Sequence, residues 1–230
     1  AGGQSNPTFK LSAGDREFVL RRKPPGELLA SAHAVDREFR VISALQGSDV
    51  PVPGAVALCE DDDIIGSMFY LMEYMEGRVF WDPVLPELNN DDRRAVYDDM
   101  NRVLAAMHSV DVEEAGLGDY GRPGNYFERQ VGRWSKQYRA SETETVPHME
   151  ELMVWLSENM PADDGRVALV HGDYRLDNVM FHPTEPKIIA VLDWELSTLG
   201  NPIADLAYQV MAWQLPRDAG ITGLAGVDRK

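Results

Sequence analysis

The hydrophobic period of this chain changes once, near Asp91, and that change limits the available folds more than any other feature. Before it, apolar residues alternate in short runs broken by Gly and Pro. After it, they recur at helical spacing over long stretches. A β-rich first third followed by a mostly helical remainder is an α+β layout, not an alternating parallel one. Thr8–Ser12 and Glu17–Arg22 are expected to be strands around the turn Ala13-Gly14-Asp15. Pro24-Pro25-Gly26 ends the second strand. A helix is expected from about Glu27 to Gln46, where Leu28, Ala32, Val35, Phe39, Ile42 and Leu45 keep helical spacing. Val50-Pro51-Val52-Pro53-Gly54 reads as a stiff connector. Ala55–Cys59 and Met68–Tyr74 form a second strand pair, with the acidic run Glu60–Asp63 near its turn, and Gly77 then breaks the pattern.

Val96, Met100, Val103, Leu104 and Met107 share one face of a helix, with Asn90 or Asp91 as its N-cap. Phe127, Val131, Trp134 and Tyr138 mark a second helix, and Met149, Leu152, Met153, Leu156 and Met160 a third. The Met and Trp residues on these faces are expected in the core. Arg166–Val170, Val179–Phe181 and Lys187–Leu192 read as short strands. Pro202 opens a last helix reaching about Trp213. The layout predicts two lobes, 1–76 and 77–230, with a hinge near Glu73–Gly77. A small ligand would bind in the cleft between them.

Charge narrows the partners. Lys and Arg number 22 against 38 Asp and Glu, a formal charge of −16. Nucleic-acid backbone and anionic lipid are therefore excluded as expected partners. A lone cysteine, Cys59, permits no intrachain disulfide, and no apolar run approaches the ~18 residues of a membrane span. With no signal peptide at its start, the chain is expected in the cytoplasm.

The chemistry concentrates in Val170-His171-Gly172-Asp173-Tyr174-Arg175-Leu176-Asp177-Asn178. An apolar strand runs into a polar loop, and four residues separate Asp173 from Asn178. Phosphoryl transfer needs this pairing: a carboxylate to take the proton of an attacking hydroxyl, and an amide oxygen to ligate Mg²⁺. Twenty residues after Asp173, the apolar Val191-Leu192 delivers Asp193, where a second metal-binding carboxylate is expected.

These motifs resemble those of the aminoglycoside phosphotransferase and choline kinase family, which has a protein-kinase-like fold. Within it, the branch found alone in bacteria or fused to acyl-CoA dehydrogenases is most similar. The resemblance also rests on Asp193-Trp194-Glu195, on Gly200-Asn201-Pro202-Ile203-Ala204-Asp205-Leu206-Ala207-Tyr208, and on the opening Gly2-Gly3-Gln4-Ser5-Asn6-Pro7-Thr8-Phe9. It implies a small β-rich lobe, a larger helical lobe, and ATP and Mg²⁺ as cofactors. Asp173 would be the catalytic base, and Asn178 and Asp193 the Mg²⁺ ligands. Gly3, Gln4, Ser5 and Asn6 would belong to the loop over the ATP phosphates. Glu38 would hold the phosphate-contacting cation of the second strand. Where the family has Lys, this chain has Arg21, which strand alternation puts on one face with Val19. The backbone of Glu73 and Met75 would meet the adenine edge. Asp205 would tie down the catalytic loop and His171 would orient it, while His108 is expected to pack or cap at a helix end.

The acceptor implied is a small-molecule hydroxyl: aminoglycoside-like, choline-like, or a hydroxyacyl-CoA metabolite with a link to acyl-CoA metabolism. Family members also carry residues before the phosphate loop and helices after the position of Trp213, so the chain is expected to be incomplete at both ends. Two other readings remain. One is a non-catalytic nucleotide-binding pseudokinase module, motivated by Arg21. The other is a metal hydrolase using Asp173, Asp177 and Asp193.

Overall fold

Alternation in the first third builds a four-stranded antiparallel sheet. The structure is a computed structural model that describes residues 6–24 and 34–227. Strands β1 (Thr8–Ala13) and β2 (Arg16–Arg22) pair with Ala13 opposite Arg16, which leaves Gly14-Asp15 as a two-residue turn. Gly14 sits at φ 66°, as the first position of such a turn can demand. Helix α1 (Val35–Ala44) follows, and the earlier part of the expected helix, including Leu28 and Ala32, lies outside the described residues. Next come β3 (Ala55–Cys59), the one-turn helix α2 (Asp62–Ile65) and β4 (Phe69–Glu73). The acidic run expected near a turn thus winds into α2, which the Asp61 side chain caps and Gly66, at φ 83°, closes. The sheet order is β1-β2-β4-β3.

The helical part is built on α3 (Asn90–His108). Val96, Met100, Val103, Leu104 and Met107 are all buried along it. Its cap is Asn89 rather than Asn90 or Asp91, because the Asn89 side chain accepts the Asp92 N–H at 2.9 Å. Helices α4 (Tyr126–Ser141) and α5 (Pro147–Glu158) pack against each other. Here the expectation for tryptophan fails: Trp134 is 45% exposed and Trp155 57%. Both helices lie at the edge of the molecule and turn only part of their apolar faces inward.

Two small antiparallel sheets then frame a loop. Strand β5 (Ala168–Val170) pairs with β8 (Thr198–Gly200), a strand the sequence did not announce. Strand β6 (Val179–Phe181) pairs with β7 (Ile188–Val191). Helix α3 packs on β5 and β7, and α6 (Ile203–Met211) closes the series two residues short of Trp213.

Sheet and helical part share one continuous cluster of buried side chains. The connector before β3 joins it through Pro51, whose carbonyl accepts the Val191 N–H at 2.8 Å. Past β4, Arg78 and Phe181 exchange two backbone bonds of 2.8 Å. Gly77 permits that approach, since a Cβ there would lie 2.6 Å from the Phe181 carbonyl oxygen. No described helix is long and apolar enough to cross a membrane.

Met107 is fully buried on α3, so Met107→Ala should cost about 2–5 kcal/mol through lost transfer energy and a residual cavity. Trp155→Ala should stay within about 0.5 kcal/mol. Urea denaturation of both variants checks the contrast.

Candidate functional site

Strand register and helix period together bury an ionised cluster. Arg21 on β2 lies directly opposite Tyr70 on β4. Across from them, the buried stripe of α1 runs through Val35, Glu38, Val41 and Ile42, so the helix carries one carboxylate into an apolar layer. Glu38 is fully buried and accepts from Asn6 Nδ2 at 2.6 Å and Tyr70 OH at 3.1 Å, and its Oε2 lies 3.3 Å from Arg21 Nε. The same guanidinium reaches Asp193 Oδ1 at 2.8 Å. Arg21 thereby links β2, α1 and the turn after β7.

Burial drives the Glu38 carboxyl up to about 7, against the pull of Arg21, and the neighbouring Asp193 pushes the same way. Burial alone would lower Arg21, but Glu38, Tyr70 and Asp193 outweigh it and hold the guanidinium above its ordinary value. Burial first and Glu38 second push the Tyr70 hydroxyl well up. The carboxylates of Glu38, Asp193 and Glu195 lie within 4.8 Å of one another. Two carboxylates on one guanidinium, with Glu195 close to both, leave the cluster short of positive charge.

The second half of the site is the loop from His171 to Asn178. It leaves β5, passes Asp173, and enters β6 through a 3₁₀ turn at Leu176–Asn178. Tyr174 anchors it from below, fully buried, with its hydroxyl donating to the Met100 carbonyl at 2.9 Å. Asn178 Nδ2 donates to both the Asp173 carbonyl, at 2.9 Å, and Asp173 Oδ2, at 2.8 Å. The Asn178 carbonyl accepts the Leu192 N–H at 2.9 Å, so the β6–β7 hairpin sets Asp193 beside Asn178. Asp193 itself is left-handed at φ 63°, a conformation costing a non-glycine residue about 1–3 kcal/mol. Trp194, fully buried, holds that turn: its Nε1 donates to the Val191 carbonyl at 3.1 Å, and its ring packs 4.8 Å from His171.

Donor chemistry identifies what this pair of residues can hold. Asn178 spends its amide nitrogen on Asp173, which leaves its amide oxygen as the remaining acceptor. Asp193 spends Oδ1 on Arg21 and keeps Oδ2. An amide oxygen and a carboxylate oxygen are hard donors that suit Mg²⁺.

Asp205, at the start of α6 and fully buried, fixes the loop from behind. It accepts the backbone N–H groups of His171 and Gly172, each at 2.8 Å. Gly172 must be glycine here: it sits at φ 82°, and a Cβ would lie 2.9 Å from the Leu196 carbonyl. His171 orients rather than exchanges protons. It is fully buried, its Nε2 lies 2.9 Å from the Leu192 carbonyl, and burial lowers its pKa. His108 does more than end α3, since its Nε2 lies 3.1 Å from Asp205 Oδ2.

The expected residues divide clearly. Arg21, Glu38, Asn178, Asp173 and Asp193 come together. Asn6 joins them, while Gly3, Gln4 and Ser5 lie outside the described residues. Glu73 ends β4, where its N–H is spent on the Gly54 carbonyl at 2.8 Å. Of that residue only the carbonyl edge remains for a ligand, and the Met75 N–H makes no backbone bond among the described residues. The proposed hydrolase trio does not assemble. Among the described residues Asp173 and Asp177 flank Arg175, at 3.4 and 3.0 Å, and the metal-sized cluster is Glu38, Asp193 and Glu195 instead. Sequence reasoning missed Tyr70, Glu195, the His108–Asp205 contact and Tyr208, whose hydroxyl is pushed up to about 12 by burial and then by Asp173.

The family model described as phosphotransferase enzyme family matches residues 1–226. Acyl-CoA dehydrogenase family member 10 of Mus musculus is 53% identical over 93% of this chain and 20% of its own length. The probable acyl-CoA dehydrogenase IBR3 of Arabidopsis thaliana is 52% identical over 91% of the chain and 27% of its own length. The chain therefore spans less than a third of these curated relatives. A crystal structure from Ralstonia eutropha JMP134, described provisionally as an aminoglycoside phosphotransferase, superposes with TM-score 0.88 at 54% identity, over 99% of this chain and 67% of its own. The ternary complex of a thermostable mutant of aminoglycoside phosphotransferase APH(4)-Ia with AMP-PNP and hygromycin B shares the fold, with TM-score 0.65 at 21% identity over 93% of this chain and 70% of its own.

Two outcomes test this geometry. Asp205→Ala strands two buried N–H groups, at about 1–3 kcal/mol each, and should lower the melting temperature and the hydrogen-exchange protection of the His171 and Gly172 amides. Glu38 titrates higher in the fold than in the unfolded chain, so the stability it contributes is full at low pH and falls as pH rises from about 4.5 to about 7. Over that window the wild type should lose melting temperature relative to Glu38→Gln.

Proposed function

The chain belongs to the phosphotransferase enzyme family, and on that premise we propose an ATP- and Mg²⁺-dependent kinase that phosphorylates a hydroxyl of a small molecule. The observation carrying this reading is the convergence of Asp173, Asn178 and Asp193 with the Arg21–Glu38 pair. In this reading residues 1–76 form the nucleotide lobe and 77–230 carry the catalytic loop and metal ligands.

Asp173 is the base. Held by Asn178 and flanked by Arg175, it accepts the proton of the attacking hydroxyl through a fixed oxygen. Arg21 contacts the nucleotide phosphates, braced by Glu38 much as a Lys would be, but with a planar fork able to bind two oxygens. Asn6, bonded to Glu38, would lie beside the phosphates. The Glu73 carbonyl and the Met75 N–H face the adenine edge. Asn178 Oδ1 and Asp193 Oδ2 would hold Mg²⁺, with Glu195 adding to the negative field. When bound, Mg²⁺ supplies charge neutralisation on the phosphate oxygens.

The acceptor would enter a cavity of about 310 Å³ beside the loop, whose walls include Trp81, Tyr97, Met100, Leu176, Tyr208 and Ile221. Its charged residues, Arg175 and Asp177, pair with each other at 3.0 Å. A polycationic aminoglycoside would find little net negative charge there. The hydroxyacyl chain of a hydroxyacyl-CoA, apolar apart from its hydroxyl, suits it better, in keeping with the names of the full-length relatives. A pseudokinase reading has one point in its favour: Arg21 occupies the metal-facing carboxylate of Asp193.

Asp173→Asn keeps an acceptor for Asn178 but removes the base. It should cut turnover about 10²–10⁴-fold, with nucleotide affinity within about twofold of wild type. Radiolabelled phosphate transfer to hydroxyacyl-CoA and aminoglycoside panels checks it. Turnover at the wild-type rate in this variant would refute the assignment.

A further inference from the structure

Away from the nucleotide and acceptor sites, a cavity of about 940 Å³ lies between α1, the start of α4 and the segment Glu195–Thr198. Five cations line it: Lys23, Arg37, Arg122, Arg129 and Arg133. None of the five forms an ion pair among the described residues. That is notable in a chain with 38 acidic residues.

The cations are positioned by groups that do not neutralise them. Arg37 donates to the carbonyls of Tyr120, at 2.8 Å, and Ser197, at 3.3 Å, and its guanidinium stacks 3.9 Å over the Tyr120 ring. Arg129 donates to the Arg122 carbonyl at 2.5 Å, and Arg133 lies over the Trp134 ring. Carbonyls and rings fix a guanidinium's direction but leave its net charge. Three carboxylates also line the cavity. Asp119 is already paired with Arg40, which leaves Asp36 and Glu195 against five cations. The N-terminus of α1 meets the cavity at Ala34 and adds its partial positive charge. Arg21, Asp173, Asn178 and Asp193 are not among the lining residues, nor is any residue of the acceptor cavity.

We propose that this cavity binds the phosphate or pyrophosphate group of a small molecule, at a site separate from that of the phosphate-donating nucleotide. The group belongs either to the acceptor or to an independent effector. Arg37 and Glu38 are neighbours on α1, so an anion held by Arg37 bears on the helix that braces Arg21.

The test is calorimetric titration of the whole chain with inorganic pyrophosphate, without Mg²⁺ and at low salt. Binding should weaken about tenfold or more in Arg122→Gln/Arg133→Gln and fall steeply with added salt. The double variant should keep its melting temperature and its affinity for ATP with Mg²⁺, which separates this claim from the kinase reading. Lys23→Gln, at an exposed position, serves as a second variant if the double one misfolds. The source is resolved by comparing hydroxyacyl-CoA with the corresponding hydroxyacyl-pantetheine. Selective loss of the former's affinity in the variant places the phosphate on the acceptor, and equal binding of both, with pyrophosphate still bound, marks an effector. No pyrophosphate binding by the wild type, or equal binding by the variants, overturns the proposal.

Discussion

One guanidinium holds the molecule's two halves at the point where its chemistry is to occur. Arg21 bonds to Glu38 on α1 and to Asp193 after β7, so a strand of the sheet, the helix behind it and the far hairpin meet on a single charge. Burying such a cluster is expensive, and removing its one cation would leave carboxylates unpaired at a cost of several kcal/mol. The raised Glu38 titration is the visible sign of that expense. An arrangement that only stabilised the fold would be better served by apolar side chains. Two carboxylates sharing one guanidinium, with Glu195 close by, instead leave room for another cation.

The loop opposite is organised by the reverse principle, dense hydrogen bonding. Asp205 accepts two backbone N–H groups, Asn178 donates twice to Asp173, and Tyr174 and Trp194 close the space around them. A base held this way needs little reorganisation when an acceptor arrives. His108 extends the brace into α3 through Asp205, so the long helix that organises the core also reaches the site.

Much of this was legible in the sequence because it depends on local spacing. Strand alternation put Arg21 and Val19 on one face, and their partners Tyr70 and Met72 are buried as that requires. Asp173, Asn178 and Asp193 were readable from motif spacing. Glu38 was legible through the family resemblance alone, and the structure adds that it shares the buried stripe of α1 with Val35 and Ile42. What escaped depends on contacts between distant segments. Tyr70 reads as an ordinary strand residue, His108 as a helix end, and the partners that join each to the site lie 32 and 97 residues away. The tryptophans of α4 and α5 misled for a similar reason: helical period says which residues share a face, not what covers it.

The family and its fold agree with a phosphoryl-transfer module. The central claim is that the Arg21, Asn178 and Asp193 constellation assembles around a nucleotide with its metal. Thermal shift with ATP, with and without Mg²⁺, tests it most directly. The account expects a rise in melting temperature that requires Mg²⁺ and disappears in Asp193→Ala. A folded protein that shows no shift with ATP, or the same shift in the presence of a chelator, would contradict it.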